Sequence, residues 1–335
     1  GHGGLRSRET WHHKYRSKDL QQLAVSPLPT PLKWADALGF LDYNPHVLST
    51  REVYELAADF AKSARYAVEA GYDGIHLSAA NMSIIQQFLS PFYNRRTDEF
   101  GGGPVDRARF LEVLYDRIRA EVGSSVPVVT KVPLESEAPA FVRERITRDD
   151  ALQVADFLER VGYDALVPVR TSVFWDMNLI RGRFPERAWD DEKYQDGYEE
   201  SFGGRLARKG VEFANWLQSF QATFKPLWNR DYCRAVRERV DVPVLGVGGI
   251  RTRSEIDELL GSGDCDMVGM GRPFYAEPKL PARLLHADDP STEVLCDNHN
   301  NCTVPQVTGA RGICRTPSVM KQKAELEQSG AYETT

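Results

Sequence analysis

Residues Pro243 to Pro273 read PVLGVGGIRTRSEIDELLGSGDCDMVGMGRP, and the punctuation of this stretch decides the fold. Pro243 to Val247 is an apolar run of strand length. Gly248 and Gly249 follow, and Thr252 and Glu255 stand at the spacing of a capping box that starts a helix. That helix stops at Gly261 and Gly263, a second buried strand runs from Asp266 to Met270, and Gly271-Arg272 opens another turn. Two successive strand–glycine–helix units make a phosphate cradle. Glycine lets main-chain N–H groups approach an oxyanion, the helix N-terminus adds partial positive charge, and Arg272 offers a fork of donors. The last two βα loops of an eight-stranded βα barrel commonly do this work. The spacing fits equally well two glycine turns of another α/β protein, with Arg272 a surface charge.

Outward from this stretch the same rhythm continues. Ser49 and Glu52 form a capping box before an amphipathic helix (Val53, Leu56, Ala57, Phe60, Ala61, Ala64) that ends at Gly71. A strand over Gly74–Leu77, a short helix over Met82–Leu89, a polar loop and a helix over Arg107–Val122 come next. Val126–Val132 is a strand, Thr147 and Asp150 cap a helix over Ala151–Val161, and Ala165–Val169 is a strand. Helix Asp231–Val240 leads back to the opening stretch. The five strands, near residues 74, 127, 165, 244 and 267, alternate with helices and imply a parallel sheet. Five strands do not close a barrel of eight. Residues 5–48 read as loop with a short helix in Ala35–Leu38, and 171–228 as a long loop on the substrate side.

With 335 residues, 41% of them hydrophobic, the chain can bury a large α/β core. Net charge is −6 with no basic cluster, which argues against a nucleic-acid partner. No apolar run reaches membrane-spanning length and no signal peptide is visible, so a cytoplasmic protein is expected. Of five cysteines, Cys296, Cys302 and Cys314 crowd near the C-terminus, a pattern of metal binding before disulfides. Cys233 and Cys265 sit in apolar contexts as core residues.

Several segments resemble the Old Yellow Enzyme family, the NADH:flavin oxidoreductases. They are Ala70-Gly71-Tyr72-Asp73-Gly74, Gln87-Phe88-Leu89-Ser90-Pro91, Asn94-Arg95-Arg96-Thr97-Asp98-Glu99-Phe100-Gly101-Gly102, Arg107-Ala108-Arg109-Phe110, the Gly248-Gly249 turn and Gly269-Met270-Gly271-Arg272-Pro273-Phe274. The resemblance covers about residues 49–317 and implies an FMN-binding (β/α)8 TIM barrel. It also implies that Gly1-His2-Gly3-Gly4 is the end of the third strand, so that the chain carries five to six of eight βα units, an N-terminally incomplete barrel. The barrel domain is expected over 1–290 and a Cys-rich extension over 291–335. A further expected partner is a second copy or a chain supplying the missing strands.

By the resemblance, Gly248, Gly249, Gly271 and Arg272 hold the FMN phosphate, and Lys131 stands beside the flavin pyrimidine ring, where a cation stabilises the reduced flavin. NAD(P)H is the implied co-substrate and a small molecule the implied acceptor. Where the family has His-x-x-His/Asn-x-Tyr, this chain has Ser78, Asn81 and Ser83. Asn81 keeps an amide donor for a substrate carbonyl. Ser78 can hydrogen-bond without titrating near neutrality, and Ser83 is a poor general acid. His76, two residues before Ser78, is expected as a hydrogen-bonded core histidine. Arg170, Trp175, Asp176 and Arg181 are candidates for the substrate mouth. Cys296, His299, Cys302 and Cys314 match, with one His for Cys, the ligand spacing of family members that resemble 2,4-dienoyl-CoA reductase and trimethylamine dehydrogenase and hold a [4Fe–4S] cluster. A cluster, a Cys3His zinc site and a motif without metal are the three alternatives. The activity expected is FMN-dependent reduction of an activated, conjugated carbonyl compound. The alternatives are an FMN-dependent dehydrogenase or demethylase feeding electrons to a cluster, and a non-catalytic or partner-dependent barrel fragment.

Overall fold

The computed structural model describes residues 3–6, 21–37, 44–136, 142–174 and 180–333. A two-stranded parallel pair, β1 (Leu23–Ala24) with β2 (His46–Val47), flanks helix α1 (Thr30–Ala37). Where loop was expected over residues 5–48, the pair is held through its main chain, and α1 begins five residues before the expected helix.

Five parallel strands follow in chain order, as a three-stranded sheet and a two-stranded sheet linked by a single bridge. Strand β3 (Ile75–Leu77) pairs with β4 (Val128–Leu134), and β4 with β5 (Ala165–Arg170). A parallel bridge from Leu166 to Val244 leads on to β6 (Leu245–Val247), which pairs with β7 (Met267–Gly269). Between them run α2 (Thr50–Glu69, before β3), α3 (Ile84–Leu89), α4 (Pro104–Val122) and α5 (Arg148–Val161). The three expected capping boxes are all formed, at Ser49, Thr147 and Thr252. Parallel strands joined by helices bury their outward face. In β4, Val128, Thr130, Val132 and Leu134 are buried, while Val129 and Lys131 on the opposite face are only half-buried. The outward face joins α2, α4 and α5 in one core, with Phe88 and Phe110 stacked at 4.2 Å.

Of the segment 171–228, expected as loop, the part described over 180–228 is largely helical. It holds α6 (Glu186–Asp190), α7 (Gln195–Phe202) and α8 (Arg205–Ser219) around a small core of Trp189, Tyr198, Val304 and Val307. Helix α8 is turned inside out: Arg208 is buried and donates to Trp189 O, while Leu206, Phe213 and Phe220 face solvent. Helix α9 (Arg230–Arg237) precedes β6, and α10 (Arg253–Gly261) links β6 to β7. After β7 come α11 (Arg272–Ala276), α12 (Leu280–Leu285) and α13 (Pro317–Gln328). No helix among the described residues is long and apolar enough to cross a membrane.

The stretch Asn94 to Gly102 proves to be a structural clasp. Asn94 donates to Phe88 O and Phe100 O, and Arg96 donates to Val25 O and Leu48 O while pairing with Asp98. Asp98 in turn accepts from Thr50 at the start of α2. A Cβ on Gly101 would lie 2.0 Å from Arg96 O, so only glycine passes there. The Arg96 donors hold the Asp98 carboxyl at about 2, below its ordinary 3.8. A depressed carboxylate stabilises the fold fully above its unfolded value, and that contribution is lost as the pH falls through the folded value. Asp98→Asn is therefore expected to cost about 1–2 kcal/mol at neutral pH, read as a lower urea midpoint, and to flatten the loss of stability between pH 4 and 2.

Candidate functional site

The C-terminal ends of the parallel strands and their inner face gather most of the expected site residues. On the inner face, Lys131 lies level with Val167 of β5, and His76 of the neighbouring β3 is level with Val129. The Lys131 amine makes no hydrogen bond or ion pair among the described residues, and burial alone pushes its pKa down. His76 departs from expectation. It is exposed on this face rather than packed in the core, and its pKa is lowered first by partial desolvation and then by the Lys131 charge. The face is open here, so the imidazole finds no core to enter.

After β3 the chain turns sharply. Asn81 and Met82 both have φ of 58°, a left-handed pair that neither side chain favours. The turn is held from α3: Gln86 Oε1 accepts from Met82 N at 2.8 Å, and Gln87 donates to Met82 O at 2.7 Å. Gln86 is itself held by Glu135, a fully buried carboxylate at the end of β4. Glu135 also accepts from Ser90 and from Ile146 N, and burial raises its pKa against those bonds. Ser78 and Asn81 are exposed at the strand end. Ser83 is occupied: its Oγ donates to Ser78 O and caps α3 by accepting from Gln86 N. Gln86 and Glu135, which set this turn, escaped the sequence reading. A glutamate closing an apolar strand was the available signal.

At the other side of the site, Gly248 and Gly249 have φ of 110° and 83°. A Cβ on Gly248 would lie 2.8 Å from the Trp228 ring, and one on Gly249 2.7 Å from Leu227 N, so both positions require glycine. Asn229 ties the ends of β5 and β6 by donating to Pro168 O and Val247 O. The Arg181 guanidinium stacks on Trp228 at 4.5 Å. Arg272, at the start of α11, donates to Arg181 O at 2.7 Å and to Asn300 Oδ1 at 2.5 Å. It is largely buried and pairs with no carboxylate among the described residues, and burial lowers its pKa. Of the other mouth candidates, Arg170 is engaged by the Asp231 carboxylate, and Trp175 and Asp176 lie outside the described residues.

The C-terminal cysteine motif does not form a ligand set. Among the described residues no group of three or more His, Cys, Asp or Glu is placed to hold a metal. His299 contacts the Asp297 carboxylate and the Arg183 guanidinium. Cys296 and Cys302 lie near Arg272, Cys314 lies near both of them, and burial pushes the Cys302 thiol up to about 11. The expected ligands Cys296, His299, Cys302 and Cys314 are thus not shown as a metal site, and Asn300, within the motif, accepts from Arg272 through its side-chain amide oxygen. Cys233 and Cys265 are buried core thiols as expected, Cys233 pushed up to about 12.

Both half-buried cations suit a flavin mononucleotide. Arg272 offers an uncompensated charge to a phosphate at the glycine turns, and Lys131 offers one to an anionic ring. Comparison with known proteins points the same way. A family model described as the NADH:flavin oxidoreductase / NADH oxidase family matches residues 12–192 and 205–288. An NADH-dependent flavin oxidoreductase of Neonectria sp. is 28% identical over 241 residues, 71% of this chain and 27% of its own length. A 4,4'-dithiodibutanoate disulfide reductase of Rhodococcus erythropolis is 26% identical over 280 residues, 83% of this chain and 65% of its own. A solved 2-naphthoyl-CoA reductase superposes with a TM-score of 0.64 at 17% identity, covering 90% of this chain and 39% of that structure. The chain spans less than two thirds of the length of each of these.

Lys131 is a cost to the empty fold. Its folded pKa lies below its unfolded value, so the unfolded state binds more protons in between and stability rises with pH there. Lys131→Met is expected to stabilise the flavin-free protein by about 0.5–2 kcal/mol at neutral pH, measured by urea denaturation. A loss of stability would show that the amine has a partner in solution.

Proposed function

The chain belongs to the NADH:flavin oxidoreductase / NADH oxidase family, and on that premise we propose that it is an FMN-dependent oxidoreductase. In this reading it takes hydride from a reduced nicotinamide and delivers it to an activated, conjugated carbonyl compound. The observation that carries the reading is the pair of desolvated cations, Lys131 and Arg272, neither with a carboxylate partner among the described residues. A dianionic phosphate compensates one and the charge of a reduced isoalloxazine the other. The parallel sheet is read as part of a barrel wall, with the His76–Lys131 face lining its interior.

Bound flavin supplies the hydride chemistry that no side chain has. The residues of this chain position and polarise. Gly248, Gly249 and Gly271 allow close main-chain approach to the phosphate, and Arg272, fixed by Arg181 O and Asn300, meets it with a guanidinium that needs no reorganisation. Lys131 holds a positive charge on the inner face. Asn81, presented by the left-handed turn, donates its amide to the substrate carbonyl and withdraws electrons from the conjugated carbon. Ser78 adds a second polar contact at the same strand end. The Ser83 proton is committed to Ser78 O, so the proton added at carbon is drawn from water at the open face. A conjugated carbonyl suits this geometry better than a disulfide, because an amide donor polarises an oxygen and has little to offer a sulfur–sulfur bond. No step is derived through an iron–sulfur cluster.

The test is anaerobic reduction of the flavin-loaded protein by NADH or NADPH, followed by reoxidation with an α,β-unsaturated aldehyde. Asn81→Ala is expected to slow the reoxidation about 100-fold and to leave the nicotinamide half-reaction unchanged. Equal reoxidation rates in variant and parent would remove Asn81 from the polarising role, and a protein that takes up no flavin would remove the whole reading.

A further inference from the structure

The loops that follow β3 and β4 enclose a cleft of about 400 Å³ outside the inner face of the sheet. Four arginines, Arg95, Arg107, Arg143 and Arg145, line it against two carboxylates, Glu144 and Asp150. Among the described residues none of the four is in an ion pair with a carboxylate. Arg95 donates to Phe92 O at 3.2 Å and also to Pro27 O. Arg107, buried at 7% exposure, donates to Leu89 O at 2.7 Å and to Gly102 O at 2.6 Å. Carbonyl acceptors orient these guanidinium groups, while the charges of Asp150, Glu135 and Asp106 act on Arg107 from beyond ion-pair distance. Arg143 and Arg145 are exposed and have no hydrogen-bond or ion-pair partner among the described residues. Of the two carboxylates, Asp150 is engaged in its own helix cap, accepting from Thr147 N at 3.0 Å.

Elsewhere the chain pairs its arginines with acids, as Arg230 and Arg234 do with Asp264 and Arg239 with Asp156. Like charges gathered in one concavity repel, and in a protein of net charge −6 partners were not scarce. The arrangement is relieved by an anion that takes two guanidinium forks at once, which is the geometry of phosphate oxygens. The volume suits a small ligand head group. We propose that this cleft binds a phosphate-bearing ligand of diphosphate size, with Arg95 and Arg107 as the fixed floor and Arg143 and Arg145 as the arms that close on it. The site is separate from the glycine turns at Gly248 and Gly271 and does not depend on the flavin reading.

Inorganic pyrophosphate is the probe, titrated calorimetrically into the flavin-loaded protein at low and high salt. Binding is expected at low salt, weakening as salt rises. The double variant Arg143→Glu/Arg145→Glu, confined to exposed side chains, is expected to lose at least about tenfold in affinity and to keep its flavin spectrum and thermal midpoint. Three results would overturn the proposal: no binding at millimolar pyrophosphate, equal binding by the double variant, or binding abolished by Arg272→Ala, which would place the anion at the glycine turns instead.

Discussion

A guanidinium with no carboxylate partner among the described residues sets the terms for one end of this molecule. Arg272 begins α11 beneath the C-terminal segment, and its donors are met by a carbonyl from Arg181 and an amide oxygen from Asn300. Those two acceptors belong to segments far apart in sequence, so fixing one side chain joins the helical excursion, the last strand and the cysteine-bearing tail. The join is reinforced around it. Gly182 N donates to Ala222 O, Arg183 N to Asn298 O, and Cys314 N to Tyr275 O. Burying a cation while giving it only neutral acceptors costs free energy.

The same logic holds across the sheet at Lys131. Its amine shares the inner face with His76, which it holds further from protonation. On the outward face the neighbours are the buried Val128, Thr130, Val132 and Leu134, none of them charged. The cation therefore separates the two faces of β4 in purpose: one packs helices, the other presents charge. After β3, the Asn81–Met82 turn stores backbone strain that the Gln86–Glu135 network restrains. Strain, unpaired charge and open surface coincide at one end of the strands, while the capping boxes and the aromatic core lie elsewhere.

Much of this was legible in the sequence because it is local. A capping box needs only residues three apart, and the boxes at Ser49, Thr147 and Thr252 all formed. The five strands lie within two or three residues of their expected places, since apolar runs bounded by glycine and proline have little else to be. The glycine turn at Gly248 was readable as a backbone requirement, although its physical cause, the Trp228 ring beneath it, was not. What failed depends on distant partners. Residues 171–228 look aromatic and charged rather than periodic, because α8 exposes Leu206, Phe213 and Phe220 and buries Arg208. Periodicity reports a helix, but not which face is inside. His299 stands at a ligand's spacing, yet Arg183 and Asp297 claim it, and spacing cannot show a competitor from another segment.

The central claim is that Arg272 and Lys131 are the two poles of a flavin mononucleotide site. It is tested most directly by comparing FMN with riboflavin, which lacks the phosphate, as ligands of the parent protein and of Arg272→Ala. Loss of a charge-assisted hydrogen bond to phosphate is worth about 2 kcal/mol, or roughly 30-fold. The account predicts that Arg272→Ala weakens FMN by about that factor and leaves riboflavin binding unchanged, so that the preference for FMN disappears. An FMN preference that survives the substitution would place the phosphate elsewhere and contradict the account.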